Sequence, residues 1–240
     1  MDFSSVFHEI WHTAAALLLF LVIAVVIALF CFMVLGVTGE LRRKFLHIIA
    51  FLTTPVMAAT QSHWYAVAIV ALLFAAVVYP ILYMFERLSF YQNLFQEREH
   101  GEIKKSLLLL FFLEAGLVTV FWGLLGSKAT VVIAILVWGF GDCMAALIGK
   151  RFGRHRIGWR IADNHKTYEG SGAMVCVDFL ILLICFPLVG VSGPITILAG
   201  LITAVCAAFV ELISKHGYDT VSVPVATAVL VYITLTFGSF

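Results

Sequence analysis

One stretch of the sequence decides the fold: Gly139-Phe-Gly141-Asp142-Cys-Met-Ala-Ala-Leu-Ile-Gly149-Lys150-Arg-Phe-Gly153, then a basic loop, then Lys166-Thr167-Tyr-Glu169-Gly170-Ser171-Gly-Ala-Met174. Most of it is apolar enough to lie in lipid, yet it holds an acid inside an apolar run, a cluster of bases and a second acid. A carboxylate near the middle of a spanning helix costs about 2.5–3.5 kcal/mol on insertion scales, so such residues usually pair, bind a cation or line a wet cavity. Asp142 therefore indicates a functional site in a membrane protein.

The composition of the whole chain agrees with that interpretation. Hydrophobic residues make up 62% of the 240 residues and charged residues 12%, which excludes a soluble protein and is typical of a polytopic membrane protein. The five cysteines lie in apolar runs without the paired spacing of a metal site or a disulfide framework, so we interpret them as small buried hydrophobic residues.

Apolar runs of about 20 residues predict the membrane spans. We predict an all-α fold with about eight transmembrane helices, forming one integral membrane domain over residues 1–240. The spans are expected near Thr13–Val37, Phe45–Ala59, Trp64–Phe85, Leu107–Leu125, Thr130–Gly149, Gly170–Val189, Pro194–Ile213 and Val221–Phe237.

The basic residues predict the orientation of these spans, because Lys and Arg in short loops stay in the cytoplasm. Eight spans put four basic loops on one face and leave only Lys128 on the other, so both termini are expected outside. We expect a multi-pass protein of a bacterial plasma membrane or an internal membrane, with which the lack of a targeting segment is compatible. The four loops contain Arg42, Arg43 and Lys44; Arg87, Arg98, Lys104 and Lys105; Lys150, Arg151, Arg154, Arg156, Arg160 and Lys166; and Lys215.

Acidic residues and a histidine lie at the same predicted face. Acids and bases that converge on one membrane face are typical of a site for a charged, water-borne molecule at a lipid surface. We therefore expect an active site that faces the cytoplasm. These residues are Glu40, His47, Glu97, Glu99, Glu102, Asp142, Asp163, Glu169, Glu211 and Asp219.

The segment from Glu40 to His47 is the first candidate for chemistry. On a helix, Glu40, Arg43 or Lys44, and His47 share one face, because steps of three and four residues stack side chains. Cations and an imidazole beside an acid suit phosphate binding or proton transfer. The alternative is an orientation signal followed by a histidine at a helix end.

The opening stretch is the second candidate. Carboxylates hold Mg²⁺ together with substrate phosphates, and Asp142 and Glu169 stand on opposite sides of the loop for that purpose. Bases of the loop are placed to bind a triphosphate, and the amides at the start of the following helix favour an anion. The alternative interprets the glycines as helix-packing contacts and the bases as topology signals.

Two further patterns concern possible site residues, and we keep the first as a candidate and set the second aside. Glu211 lies near a predicted cytoplasmic helix end, and Asp219 lies in a tight turn that contains glycine, although an ordinary capped turn explains this segment equally well. His8-Glu9-Ile-Trp11-His12 matches a zinc-protease pattern, but it is expected to precede the first helix on the opposite face. We interpret it as an interfacial lead-in with Trp11 at the headgroups.

These motifs together resemble the polyprenol kinase family. The resemblance covers about residues 40 to 230 and rests on Glu40-x-x-Arg43-Lys44-x-x-His47, Gly141-Asp142-x-x-Ala-x-x-x-Gly149-x-x-x-Gly153, Lys166-Thr167-x-Glu169-Gly170-Ser171, Glu211 and Asp219-Thr-x-x-Val-Pro224. Members of that family include dolichol kinase, phytol kinase and CTP-dependent diacylglycerol kinase, with phosphatidate cytidylyltransferase as a distant relative. Asp219-Thr220 departs from the Asp-Asn of many relatives.

The resemblance implies transfer of the γ-phosphoryl group from CTP or another nucleoside triphosphate to a lipid alcohol, with Mg²⁺. It implies Asp142 and Glu169 as metal ligands, Asp142, Lys166, Asp219 and His47 as catalytic residues, and a set of nucleotide contacts. Polyprenol, dolichol, phytol and diacylglycerol all remain open as acceptors, as do the donor and the oligomeric state. The nucleotide contacts are Arg43, Lys44, Gly141, Gly149, Lys150, Gly153, Lys166, Thr167, Gly170 and Ser171.

Two rival functions remain. A cytidylyltransferase would use the same CTP and Mg²⁺ but join a lipid phosphate to the α-phosphorus. An ion-coupled transporter would use Asp142 and Glu211 as a relay, although the charges crowd one face and do not line a path across the membrane. The expected partners are membrane lipids, a lipid alcohol and a nucleotide, and no pattern indicates nucleic acid.

Overall fold

Eight helices form the part of the chain that the computed structural model describes, which is residues 3–86, 101–159, 162, 166–215 and 217–238. No strand occurs in these ranges, and the prediction of an all-α membrane protein with about eight helices is confirmed. The helices are α1 (Phe3–Met33), α2 (Gly39–Thr60), α3 (Trp64–Phe85), α4 (Glu102–Leu117, continued by a π-helix at Val118–Leu124), α5 (Lys128–Phe152), α6 (Tyr168–Leu188), α7 (Pro194–Ile213) and α8 (Asp219–Phe237).

Seven of the described helices are long and apolar enough to cross a membrane. The eighth is α2, which begins with the charged segment that contains Glu40 and is apolar mainly over its second half. These helices support an integral multi-pass membrane protein. The cytoplasmic orientation stays a prediction, and several of the charged residues used to derive it lie outside the described residues: Arg87, Glu97, Arg98, Glu99, Arg160 and Asp163.

Helix α1 begins ten residues before the predicted Thr13, so the position predicted for the His8-to-His12 segment is wrong. The segment lies inside the helix, and its polar side chains have partners within the first unit. Glu9 pairs with Nδ1 of His63 at 3.0 Å and accepts a hydrogen bond from the Tyr65 hydroxyl at 2.5 Å. Nε2 of His12 lies 3.1 Å from Nε2 of His8.

The chain divides into two compact units, Met1–Leu124 and Leu125–Phe240. In the first unit, α3 packs against α4 and its π-helical continuation, and α1 packs against α2 and α3. Gly123 lies so close to Trp64 that an added Cβ would be 2.8 Å from the indole ring. The prediction of a single domain concerns the assembly of both units and stays a prediction.

The second unit is a bundle of α5, α6, α7 and α8. Helix α6 packs between α5 and α7, and α8 packs against α5 and α7. Side chains from all four helices and from the turn before α7 form its apolar core, which fixes the helix ends where the charged residues lie. The buried members are Ile133, Val137, Leu182, Phe186, Val191, Ala204 and Val231.

Candidate functional site

Three carboxylates meet at the helix ends of the second unit. Asp142 lies within α5, Glu211 is in the last turn of α7, and Asp219 is the first residue of α8. One oxygen from each lies within 4.8 Å of the others, which is close enough for all three to contact one metal ion. Carboxylate oxygens are the ligands that Mg²⁺ prefers. The sequence placed these acids at one membrane face, and the structure brings them to one point.

Lys166 lies beside this carboxylate cluster, by which we mean Asp142, Glu211 and Asp219. Its Nζ is 2.9 Å from Oε1 of Glu211 and donates hydrogen bonds to the backbone carbonyls of Glu211 and Ser214, the latter at 3.3 Å. These carbonyls belong to the end of α7, where the regular helical pattern no longer supplies donors, and the Glu211 carbonyl also accepts from the Ser214 amide at 3.2 Å. One ammonium group therefore closes a helix end and faces the acids.

The segment from Gly153 to Thr167 returns the chain from α5 to α6. Arg156 and Thr167 form an isolated antiparallel bridge, and the Ile157 amide donates to the Lys166 carbonyl at 3.0 Å. Ile157 and Ala162 pack against Leu212 of α7. These contacts anchor the described part of the loop on α7 and hold Lys166 in place.

Glu169, predicted as a metal ligand, contacts this loop. Its carboxylate accepts hydrogen bonds from the backbone amides of Arg154 at 3.1 Å and His155 at 3.2 Å, and it pairs with Nδ1 of His155 at 2.7 Å. Among the described residues, the group of ligand atoms around Asp142 includes Glu211 and Asp219 and does not include Glu169. The contacts of Glu169 fix the start of the loop to the start of α6, and its role as a ligand stays a prediction.

The predicted nucleotide-loop glycines lie where α5 and α6 cross. A Cβ added to Gly170 would be 2.7 Å from the Ala145 carbonyl oxygen and 3.3 Å from Cα of Gly149. A Cβ added to Gly153 would be 2.2 Å from the Gly149 carbonyl oxygen and 2.7 Å from Cγ2 of Thr167. These glycines therefore pack closely against other protein atoms, as the helix-packing interpretation predicts. Their contact with a nucleotide stays a prediction.

Thr167 and Ser171 organise the first turn of α6. The Thr167 hydroxyl accepts a hydrogen bond from the Gly170 amide at 3.2 Å, which is the role of an N-cap residue. The Ser171 amide donates to the Thr167 carbonyl at 3.1 Å. Two amides at this helix start are therefore already hydrogen-bonded. Lys150 lies on the exposed last turn of α5.

Arg43, Lys44 and His47 belong to α2 of the first unit, which begins at Gly39 and not at the predicted Phe45, so that the segment from Glu40 to His47 is helical throughout. Arg43 forms an ion pair with Glu40, three residues earlier. Lys44 is buried, and the His47 ring lies 5.7 Å from the Phe51 ring, between centroids. Their participation in phosphate binding or hydroxyl activation stays a prediction.

Sequence reasoning missed two buried acids. Asp178 is fully buried on α6 in the second unit, and Glu114 is fully buried on α4 in the first unit. Glu114 accepts a hydrogen bond from the Thr53 hydroxyl, which lies 3.3 Å from each carboxylate oxygen. Both acids lie inside an apolar run of the sequence, which is the same signal that indicates Asp142.

The chain is similar to two curated kinases. It is 32% identical over 125 residues to a phytol kinase of Synechocystis sp., a match that covers 52% of this chain and 52% of that protein. It is 32% identical over 104 residues to dolichol kinase sec59 of Schizosaccharomyces pombe, covering 43% of this chain and 19% of that protein. The chain thus spans about half the length of the first relative and about a fifth of the second.

No family model matches the chain, and no solved structure matches it. The resemblance that the motifs carry is confirmed by the two curated matches.

Proposed function

We propose that the protein is a membrane lipid kinase of the polyprenol and lipid kinase family. The two kinase relatives support this proposal. It transfers the γ-phosphoryl group of a nucleoside triphosphate, with CTP as the preferred donor, to the hydroxyl of a lipid alcohol. The acceptor is a polyprenol, dolichol, phytol or diacylglycerol. The observation that carries this proposal is the meeting of Asp142, Glu211 and Asp219 within 4.8 Å beside Lys166.

The carboxylate cluster fits Mg²⁺ by the chemistry of its donors. All three groups offer oxygen atoms, and they come from three different helices, so a bound ion would also cross-link α5, α7 and α8. When bound, Mg²⁺ supplies charge neutralisation at the phosphate oxygens. The part of these residues is to hold and orient the metal–phosphate group at the helix ends.

Lys166 is the phosphate-positioning cation of this proposal. Phosphoryl transfer needs positioning and charge stabilisation more than covalent chemistry. The ammonium group is fixed by the α7 carbonyls and by Glu211, so its position is set before a nucleotide arrives. Glu169 holds the loop amides of Arg154 and His155, which keeps the loop that leads to Lys166 in a defined path.

The lipid alcohol reaches the site from the bilayer. Large apolar side chains on α6 and α7 are exposed on the outside of the second unit, as expected for surfaces in contact with lipid: Leu180, Ile184, Ile197, Leu198, Leu201 and Val205. The hydroxyl end of the acceptor lies at the membrane surface, where the helix ends carry the acids. Asp219 accepts the proton of the attacking hydroxyl.

A cytidylyltransferase is the rival that the same acids would serve. It differs in the phosphorus that is attacked and in the acceptor, which would be a lipid phosphate. Both curated relatives are named as kinases, which favours attack on the γ-phosphorus.

The test uses detergent-purified protein with Mg²⁺ and, in separate reactions, phytol, a polyprenol, dolichol and diacylglycerol. Parallel reactions contain CTP labelled at the γ- or the α-phosphorus, and label is followed into the organic phase. We expect label from γ-labelled CTP alone, with removal of Mg²⁺ by EDTA as the control. Label from the α-phosphorus, with phosphatidate supplied, would replace the kinase by a cytidylyltransferase, and absence of label with every acceptor and with ATP would refute both.

A further inference from the structure

Asp178 interrupts the apolar face by which α6 enters its bundle. The buried residues of α6 repeat every four positions, which places them in one row along the helix. Asp178 is the only acid in this row, with a methionine one turn before it and a leucine one turn after it. The row consists of Gly170, Met174, Asp178, Leu182 and Phe186.

Both carboxylate oxygens of Asp178 are buried and have no hydrogen-bond partner within the described ranges. Burying a polar group without a partner is costly, and a carboxylate is more costly still. A buried polar group without a partner calls for an explanation, such as a catalytic role or a bound water or ion. Glu114, by contrast, has the Thr53 hydroxyl 3.3 Å from each of its carboxylate oxygens, although that hydroxyl also donates to the Ala50 carbonyl at 2.6 Å.

Asp178 lies near the carboxylate cluster, outside the group of oxygens that lie within 4.8 Å of one another in the described part of the chain. Gly141 of α5 makes room for it, because a Cβ at that position would be 2.2 Å from Oδ1 of Asp178. The residue after Gly141 is Asp142, and the Asp178 carboxylate interacts electrostatically with both Asp142 and Glu211. Negative charge on all three acids is repulsive, and the Lys166 ammonium, which pairs with Glu211, offsets one of the three charges. A cation bound between Asp178 and Asp142 would offset the remaining repulsion.

We propose that Asp178 is a fourth cation-binding carboxylate of this site and that it holds a divalent cation together with Asp142. Gly141 is then required for this site, because the absence of a side chain there lets Asp178 of α6 approach the part of α5 that carries Asp142. This inference rests on the metal site of the proposed function and extends it to a residue outside the motifs of the sequence.

The experiment measures Mn²⁺ binding to the full-length protein in detergent, without nucleotide or lipid, by electron paramagnetic resonance of free Mn²⁺. The wild type is compared with Asp178→Asn, Gly141→Ala, Asp142→Asn and, as the matched control, Glu114→Gln. We expect Asp178→Asn to weaken Mn²⁺ binding at least about tenfold, since even indirect partners of metal sites cost 10- to 100-fold. Gly141→Ala should weaken binding as well, because its Cβ displaces the Asp178 carboxylate, while Glu114→Gln binds as the wild type does.

The outcomes separate this inference from the proposed function. If Asp142→Asn loses Mn²⁺ but Asp178→Asn and Gly141→Ala keep wild-type affinity, the role of Asp178 is refuted and the three-carboxylate site stands. If the wild type binds no Mn²⁺, both are refuted. If binding depends on Asp178 but no label reaches any lipid from CTP or ATP, the kinase proposal fails and the cation site remains. Should Asp178→Asn not fold, Gly141→Ala and Asp178→Ser decide the question.

Discussion

The two units of this protein bury a carboxylate to the same extent and treat it differently. Glu114 in the first unit and Asp178 in the second are both fully buried in apolar helices. The Thr53 hydroxyl contacts both oxygens of Glu114, whereas neither oxygen of Asp178 has a hydrogen-bond partner among the described residues. Burial alone therefore does not distinguish the two acids, whereas their hydrogen-bond partners do.

The buried ion pairs of the two units differ in the same way. Lys104 pairs with Glu86 in the first unit, and the Lys104 ammonium also lies 4.7 Å from the centre of the Tyr83 ring. Lys166 pairs with Glu211 in the second unit and binds carbonyls at a helix end, next to two more acids. The first pair joins two helices, and the second is part of a larger charged group.

Replacing the acids themselves should give the largest difference between the units. Asp142→Asn removes a carboxylate from the cluster, and we expect phosphoryl transfer to fall at least about a thousandfold, since charge neutralisation carries most of this chemistry. Glu114→Gln should leave transfer near that of the wild type. Both are measured as label transferred from γ-labelled CTP to lipid. An equal loss of phosphoryl transfer in the two variants would show that Asp142 is no more important for the reaction than the buried Glu114.

The two lysines provide the next test. Lys166→Met should lower transfer about 100-fold, in the range found when a positioned electrostatic donor is removed. Lys104→Met breaks an ion pair of the first unit and should lower the unfolding temperature while transfer persists. Transfer rates and thermal unfolding in detergent, measured on the same preparations, separate the two effects. A loss of transfer in Lys104→Met matching that in Lys166→Met would contradict the assignment of the site to the second unit.

Glycine variants test how tightly each unit is packed. Gly170→Ala should destabilise the protein by about 1–3 kcal/mol, because the new methyl group would lie 2.7 Å from the Ala145 carbonyl oxygen. Gly172→Ala on the same helix and Gly116→Ala in the first unit are the controls. A Cβ at either of these positions meets no described atom within 4 Å. Denaturant unfolding measures the difference, and equal stability of the three variants would show that α5 and α6 can separate without cost.

Hydroxyl deletions should give the smallest effects. Thr53→Val removes the hydroxyl that Glu114 accepts from, and Thr167→Val removes the cap of α6. We expect a loss of about 1 kcal/mol in each case, from an unmade hydrogen bond and from a lost N-cap respectively. The corresponding Thr→Ser variants keep the hydroxyl and should stay near wild-type stability. A Thr53→Val protein of unchanged stability would show that the Thr53 contact does not stabilise the buried Glu114.

The sequence was sufficient for the helices and for part of the site. Apolar runs identified all eight described helices, because burial in lipid or in a bundle demands such runs over their whole length. Asp142, Lys166 and Asp219 were singled out, and Glu211 was placed near the same face. The apolar run predicts a first helix that starts at Thr13, because Glu9 and the histidines before it are polar. Tyr65 and His63, the partners of Glu9, lie more than fifty positions away in the chain and give no local signal.

The arrangement of the site needed the structure. Spacing does not reveal that Glu211 joins Asp142 and Asp219, or that Glu169 instead binds the amides of Arg154 and His155. These contacts depend on how α5, α6 and α7 pack, which no single segment encodes. Asp178 was detectable in principle, since it is an acid in a four-residue repeat of buried positions.

The contact of Gly149 with Gly170 limits how the second unit responds to a ligand. Side chains absorb small displacements by changing rotamer, but at this crossing backbone faces backbone, with an added Gly170 Cβ only 3.3 Å from Cα of Gly149. Helices α5 and α6 therefore have little room to shift against each other at this crossing. The same close packing also sets the distance between Asp142 on α5 and Asp178 on α6.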